Sequence, residues 1–580
     1  MVKVHFTQED HAIEDLTIEV TEGERLTECI RAAGLVLETP CTGLGLCGKC
    51  QIKAWGDLYP PEDLESGFIN AQNIRLACQA RVKGEVWIEL LSKGNQLKTI
   101  NQSLAIEVVV DSLVKQVMLP PLERVAQPYL ERLPYNTGTT DIYQKAGELE
   151  QRGANANPVY GVLVDNDLVD LGFGPGEILG VAIDIGTTGI SAYLLDLASG
   201  EILQRQSCLN PQTEFGGDVL SRISYCLDNP QGPAQLRKTI VGKLNELVIN
   251  LTGTTARTER VYQVVIAGNT TMLHFVLGIY PGSIARAPYR PVFLEQVDLK
   301  AREAGILICP EGRVTLLPSA SGYVGADILA GVVATAFDKK DYPAVFLDIG
   351  TNGEIVANLG GRLIATSTAA GPALEGMNIS CGCRAEEGAI DTFSIDNSFN
   401  LHFTTIGATQ PKGICGSGLI DITAAMVKQK LVLASGRFNP NLDPRIKARV
   451  RDKKFYLTEE IYISQTDIRQ IQLAKGAISA GVTLLLEEAG IPLEAIEEAV
   501  IAGAFGYHIN PDSIQEIGLL PKGFKGKINF VGNSSAEGAR LALINKGVMV
   551  QIQELKKRIE VLELSTNPRF QDYFVKALGF

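Results

Sequence analysis

Residues 179–189 read Leu-Gly-Val-Ala-Ile-Asp184-Ile-Gly186-Thr187-Thr188-Gly189, and residues 344–353 read Ala-Val-Phe-Leu-Asp348-Ile-Gly350-Thr351-Asn352-Gly353. Each is a short apolar run, the length of a buried strand, that ends in an aspartate and a turn with two glycines. The two aspartates stand 164 residues apart. A second echo pairs Val264-Val-Ile-Ala-Gly-Asn269 with Ala499-Val-Ile-Ala-Gly-Ala504. A further run follows each turn, from Ile190 to Leu195 and from Glu354 to Ala357, so each copy is expected to be a strand–turn–strand hairpin. The chain from 178 to 580 therefore reads as two equivalent halves, about 178–340 and 341–580.

Two glycine-rich hairpins facing each other across a cleft can grip phosphates from both sides. Gly186, Gly189, Gly350 and Gly353 permit close backbone approach, and successive N–H groups make a concavity for anions. Thr187, Thr188, Thr351 and Asn352 add side-chain donors. Asp184 and Asp348, at the strand ends, are expected to hold Mg²⁺ through its waters, because magnesium dehydrates reluctantly. A pair of tight hairpins with Asp caps is the plain alternative, and the repetition argues against it. The pattern resembles the actin-like, ribonuclease H-like ATPase fold of actin, sugar kinases and heat-shock chaperones, which implies ATP as the ligand. On that resemblance Gly503, Ala504 and Phe505 border the nucleoside, and Gly532-Asn533, after the strand Lys527–Val531, contribute to the same pocket. Asp327, in the crossover Leu317–Gly331, either faces the cleft and positions an attacking water or is a surface helix carboxylate.

Near the N-terminus, Cys41-Thr-Gly-Leu-Gly-Leu-Cys47-Gly-Lys-Cys50 places three cysteines in one glycine-rich loop, with Cys78 following 28 residues later. A [2Fe–2S] cluster needs four thiolates, and bare glycine backbone lets amides point at the sulfurs. A zinc site more usually shows two short Cys pairs. The C-x5-C-x2-C spacing resembles adrenodoxin-like ferredoxins. The other seven cysteines (Cys29, Cys208, Cys226, Cys309, Cys381, Cys383 and Cys415) are scattered and read as ordinary thiols.

The wider chain fits an α/β multidomain protein. Its 580 residues suit roughly three to four domains. A net charge of −13 argues against a general nucleic-acid or anionic-membrane binder. No signal-like start and no long apolar run appears, and dispersed cysteines suit a reducing cytoplasm. Residues 1–92 alternate as strands at Val2–Phe6 and Leu16–Val20, turn helical at Glu24–Ala33, and form strands again around Cys50–Trp55 and Glu85–Leu90. This order resembles the β-grasp ferredoxin domain. Residues 93–103 read as a polar linker. Residues 104–177 form a small mixed α/β middle domain, with strands expected at Ala105–Val110 and Tyr160–Val164, and carry no recognisable chemistry.

A ferredoxin unit joined to an actin-like ATPase resembles the reductive activators of corrinoid proteins. Asn210-Pro-Gln-Thr-Glu-Phe-Gly-Gly-Asp218, Ala267-Gly-Asn-Thr-Thr-Met-Leu-His274, Ser367-Thr-Ala-Ala-Gly-Pro-Ala-Leu-Glu375-Gly, Pro411-Lys-Gly-Ile-Cys-Gly-Ser-Gly-Leu419 and Glu563-Leu-Ser-Thr-Asn-Pro-Arg-Phe570 carry the resemblance further. It implies ATP-driven one-electron reduction of Co(II) to Co(I) in a corrinoid protein of a methyltransferase system, fed by a low-potential reductant. It also implies a homodimer. Glu375 is then a nucleotide-side or cobalt-side ligand, or simply a helix cap. Activators with a C-terminal [4Fe–4S] centre fit less well, since no cysteine lies beyond Cys415. Three other readings stand beside this one: an electron-injecting ATPase for another low-potential metalloenzyme, a redox-gated actin-like interaction protein, and a sugar kinase fused to a ferredoxin.

Overall fold

The computed structural model describes residues 1–7, 16–33, 50–65, 73–91, 108–122, 125–152, 158–503 and 509–580, with positions 35, 37, 39, 43, 45, 48 and 68 between them. The N-terminal unit is a five-stranded sheet of β1 (Val2–Thr7), β2 (Leu16–Val20), β3 (Gln51–Leu58), β4 (Ile74–Leu76) and β5 (Val82–Leu90), in the order β2-β1-β5-β3-β4. β1 runs parallel to β5, and the other pairings are antiparallel. Helix α1 (Leu26–Ala32) buries Leu26, Cys29 and Ile30 against Val4, Ile52 and Ile88. A sheet gripping one helix this way is the β-grasp arrangement.

Strands β6 (Val114–Leu119), β7 (Val159–Val164) and β8 (Asp167–Phe173) form the middle sheet, and helix α2 (Thr140–Arg152) packs on it. The sheet is apolar on both sides. Leu119, Val159 and Leu168 meet Ile142 and Leu149 of α2, whereas Val114, Val162, Val164 and Val169 join the core of the next domain. This unit is thus welded to the ATPase-like domain. The strand expected over Ala105–Val110 is not formed at Val108–Val110. There the backbone is committed to a helix end instead: Asn545 Nδ2 donates to Val109 O, and Asp111 N donates to Ile544 O. Residues 105–107 and the expected linker 93–103 lie outside the described residues.

The duplication is plain in the two large sheets. One contains β9 (Leu179–Ile185), β10 (Gly189–Asp196), β11 (Ile202–Leu209), β12 (Val261–Gly268), β13 (Val297–Lys300) and β14 (Arg313–Leu316), in the order β11-β10-β9-β12-β14-β13. The second half opens with β15 (Pro343–Ile349), β16 (Gly353–Leu359) and β17 (Leu363–Thr368). Two small antiparallel or mixed sheets are then inserted: β18 (Ala389–Ile395), β19 (Leu401–Thr405) and β20 (Gly413–Ile414), then β21 (Val450–Arg451), β22 (Lys454–Tyr456) and β23 (Tyr462–Ser464). With β24 (Glu498–Ala502), β25 (Lys527–Gly532) and β26 (Glu560–Val561) the second large sheet reads β25-β24-β15-β16-β17-β26. In both sheets the first three strands are antiparallel, and the fourth lies parallel beside the first. The halves meet through helices Ala326–Ala334 and Ser534–Ile544. A Cβ on Gly331 would lie 2.6 Å from Ser534 Oγ, and one on Gly538 would lie 2.3 Å from Ala330 O, so the glycines allow the close crossing.

Candidate functional site

Each Asp-Ile-Gly-Thr-x-Gly stretch forms the hairpin its sequence predicts. Gly186 N donates to Gly189 O at 2.9 Å, and Gly350 N donates to Asn352 O at 2.9 Å. The Ala-Gly echoes brace the two strands in the same way. A Cβ on Gly268 would lie 2.8 Å from Ile185 O, and one on Gly503 would lie 2.4 Å from Ile349 O. The hairpins face each other: the Thr188 and Thr351 hydroxyls stand 3.4 Å apart. Both donate to the same carboxylate oxygen of Glu375, Thr351 at 2.8 Å and Thr188 at 3.4 Å. Glu375 therefore sits at the meeting point of the hairpins. The surrounding cleft is lined by Thr188, Thr213, Gly217, Asp218, Pro372 and Met377.

The floor of the cleft is acidic. Burial pushes the Asp348 carboxyl up to about 7, and the charges of Asp184 and Glu375 push the same way. Asp327 lies in the same field: burial raises it well above the usual carboxylate range, aided by Asp348 and Asp184. Asp327 thus shares the field of the two hairpin aspartates and is not a surface carboxylate. It opens helix Ala326–Ala334, where Ile328 N donates to its Oδ1 at 2.9 Å. Burial also raises Asp184, opposed by hydrogen bonds from Ser535 (2.7 Å) and Asn533 (2.9 Å). A cleft that holds several carboxylates against their own repulsion is built for a cation. Among the described residues no three such side chains converge tightly enough to chelate a bare ion. Open glycine backbone, paired hydroxyls and this carboxylate floor fit a magnesium-bound nucleoside triphosphate.

Asn533, proposed for the nucleotide pocket, opens the helix Ser534–Ile544 as its sequence leads one to expect: it caps it through Ala536 N and donates its amide to Asp184. The reason is capping demand at the helix start together with an unsatisfied carboxylate within reach. Gly532 ends β25 and accepts from Gly503 N at 3.0 Å, so this pair tightens the strand ends. Ala504 and Phe505 lie outside the described residues.

Other residues were not foreseen. Glu354, first after the second hairpin, is buried and raised by burial and by the charges of Asp327 and Asp348. Its signal was available, since a glutamate stands in a buried strand where the first copy has Ile190. Arg222 of helix α3 (Val219–Asp228) is fully buried; it donates to Thr187 O at 2.5 Å and to Gly216 O at 2.9 Å. Burial lowers its pKa to about 9. Asn210 and Asn269 secure the same hairpin, donating to Gly186 O at 2.9 Å and Thr187 Oγ1 at 3.1 Å.

The second centre lies in the N-terminal unit. Cys50 opens β3 and Cys78 lies on the turn after β4, and β3–β4 pairing brings their sulfurs to 3.2 Å. Both side chains are buried, and Gln79 Nε2 donates toward Cys78 Sγ at 3.4 Å. Two thiols this close with an N–H donor beside them fit one iron of a thiolate-held cluster. Cys41 and Cys47 lie outside the described residues. Cys381 and Cys383 are partly exposed.

Comparisons with known proteins match three stretches of the chain. Residues 343–580 match the profile described as the C-terminal domain of RACo, the ASKHA domain, and residues 179–340 match the RACo middle region. Residues 10–83 match the 2Fe-2S iron–sulfur cluster binding domain. The chain is 31% identical over 588 aligned positions to the corrinoid activation enzyme RamQ of Eubacterium limosum, covering 96% of each chain. It is 26% identical to a [Co(II) methylated amine-specific corrinoid protein] reductase of Methanosarcina barkeri, over 69% of this chain and 77% of that one. A solved reductive activator for a corrinoid, iron–sulfur protein superposes with a TM-score of 0.75 at 34% identity, covering 100% of this chain and 98% of that one.

Proposed function

This chain belongs to the family of ATP-dependent reductive activators of corrinoid proteins, and from that premise we propose how its residues divide the work. The protein is a corrinoid reductase: it takes one electron from a donor and passes it to a Co(II) corrinoid protein, leaving Co(I). The corrinoid serves a methyltransferase system, and the donor is a low-potential one-electron reductant. The observation that carries the reading is one chain holding both a buried thiol pair in a β-grasp unit and two facing phosphate hairpins over a carboxylate floor.

The [2Fe–2S] cluster, when bound, supplies the one-electron couple, and Cys41, Cys47, Cys50 and Cys78 are its ligands. Ordinary plant-type ferredoxins work near −400 mV, and a Co(I) corrinoid needs a more negative donor. The uphill step therefore needs a second favourable event. The hairpin amides with Thr188 and Thr351 hold the triphosphate. Asp184 and Asp348 would face its hydrated magnesium, and Asp327 orients the attacking water and accepts its proton, a role suited to a buried carboxyl raised above the usual carboxylate range. Nucleotide-dependent states of the cleft bias the affinity for the corrinoid partner. The chain works as a homodimer in the cytoplasm; family likeness supports the first. Among the described residues no helix is long and apolar enough to cross a membrane.

The test mixes purified holoprotein, a strong reductant, ATP and a Co(II) corrinoid protein, and follows the visible spectrum for Co(I). Cys47→Ser should abolish reduction and leave ATP binding, whereas Asp184→Ala should keep the cluster spectrum and lose ATP-driven reduction. Reduction surviving Cys47→Ser would rule out the electron path.

A further inference from the structure

The iron–sulfur unit is not free of the ATPase in this structure: it rests on residues 214 and 215, which belong to the same short segment that pins the first phosphate hairpin. Arg31 of α1 pairs with Glu214, Nε to Oε2 at 3.4 Å, and its guanidinium lies over the Phe215 ring at 5.1 Å. Thr39 Oγ1 donates to Glu214 O at 3.2 Å. Thr27, Ile30, Leu35 and Leu37 close the contact around Glu214. Phe215 in turn packs on Tyr225 of α3, ring centres 5.0 Å apart.

The other side of this segment belongs to the nucleotide site. Asn210 N donates to Thr188 O at 2.8 Å, and its side chain donates to Gly186 O. Arg222 spans the segment from behind, one nitrogen on Gly216 O and another on Thr187 O. Thr213, Gly217 and Asp218 line the phosphate cleft beside Thr188. From Asn210 to Arg222, then, residues alternate between the hairpin and the ferredoxin contact. The three consecutive carbonyls of residues 186–188 are all held by this bracket. A shift of the hairpin is transmitted to Glu214 and Phe215 through fully buried, hydrogen-bonded parts, which cannot deform smoothly.

We propose that Glu214–Phe215 is a dock for the chain's own iron–sulfur unit, and that the 210–222 bracket makes nucleotide in the cleft loosen it. The Asp218 carboxylate, which caps α3 by accepting from Ser221 N at 2.7 Å, borders the same cleft as Thr188. Triphosphate charge entering that cleft repels it and tilts the bracket away from α1. Arg222 acts as a positioning residue, holding hairpin and dock in one register. The device lets nucleotide binding release the electron-carrying unit from its resting seat. It rests on the assignment of the cleft to ATP.

Hydrogen–deuterium exchange on the full-length holoprotein, with and without magnesium and a non-hydrolysable ATP analogue, tests it. In the wild type, nucleotide should slow exchange at residues 185–190 and speed exchange at α1, residues 26–32, roughly fivefold, the scale of a partly buried ion pair. Glu214→Ala should give the faster α1 exchange without nucleotide, with no further gain on adding it, while the hairpin still gains protection. The paired reversal Arg31→Glu with Glu214→Arg should restore slow α1 exchange. Protection at 185–190 with unchanged or slower α1 exchange would overturn the dock while sparing the ATP site. No protection at 185–190 would instead strike at the ATP assignment and take the proposal with it.

Discussion

The two phosphate hairpins are nearly the same in sequence and backbone, yet they sit among opposite neighbours. Around the first, most close partners are donors: Asn210, Arg222, Asn269, Asn533 and Ser535 bond its carbonyls, its Thr187 hydroxyl or its aspartate, and only Thr188 reaches across to an acid, Glu375. Around the second, the neighbours are acids, with Glu375 and Glu354 beside Asp348, and Asp327 reaching in from the crossover helix. Duplication supplied two equal grips, and the segments between them divided the labour. The first hairpin is held; the second carries the surplus negative charge that a magnesium ion would settle. Coupling to the ferredoxin unit falls on the held side, where movement of the hairpin has somewhere rigid to go.

The largest expected effect comes from breaking the hold on the first hairpin. Arg222→Ala leaves two buried carbonyls without their donor and opens a cavity, and should cost about 3–5 kcal/mol by chemical denaturation. Among the described residues the second hairpin has no counterpart whose loss should cost as much.

A smaller effect separates the two aspartates. In chelator-treated, nucleotide-free protein near pH 8, Asp184→Asn disturbs two good hydrogen bonds and should destabilise by about 1–2 kcal/mol. Asp348→Asn removes a carboxylate held against Asp184 and Glu375 and should be neutral or stabilising by about 1 kcal/mol. Equal losses in both variants would erase the contrast drawn above.

The smallest effect is on pH. The Asp348 carboxyl is at about 7 in the fold against an ordinary value of 3.8, so the folded chain keeps its proton longer than the unfolded one. Stability from this group is full below about pH 4, falls as pH rises toward 7, and is flat beyond. Magnesium-free wild type should therefore lose roughly 1–2 °C in Tm between pH 6 and pH 8, and Asp348→Asn should show a shallower slope.

Much of this was legible before any coordinates. Repeated Asp-Ile-Gly-Thr-x-Gly turns after apolar runs leave few options for the backbone, and the strands and hairpins follow the sequence nearly residue for residue. The cysteine spacing likewise needed only the chemistry of four thiolates. What was missed shares one trait: it depends on partners far apart in the chain. Nothing around Asn533 in the sequence announces that Asp184, 349 positions away, takes its amide. Arg222 looks like one cation in an ordinary amphipathic helix until Thr187 and Gly216 close around it. Val108–Val110 have strand-like composition, but the Ile544–Asn545 helix end claims their backbone partners.

By itself, then, the sequence determined the kinds of chemistry present and the local shapes that carry them, because spacing of thiols and glycines constrains short stretches of backbone directly. Only the tertiary structure decided which aspartate is stabilised and which is crowded, and that the iron–sulfur unit leans on the segment bracing the first hairpin. Burial and neighbouring charge set those properties, and both are sums over residues that meet only once the chain has folded.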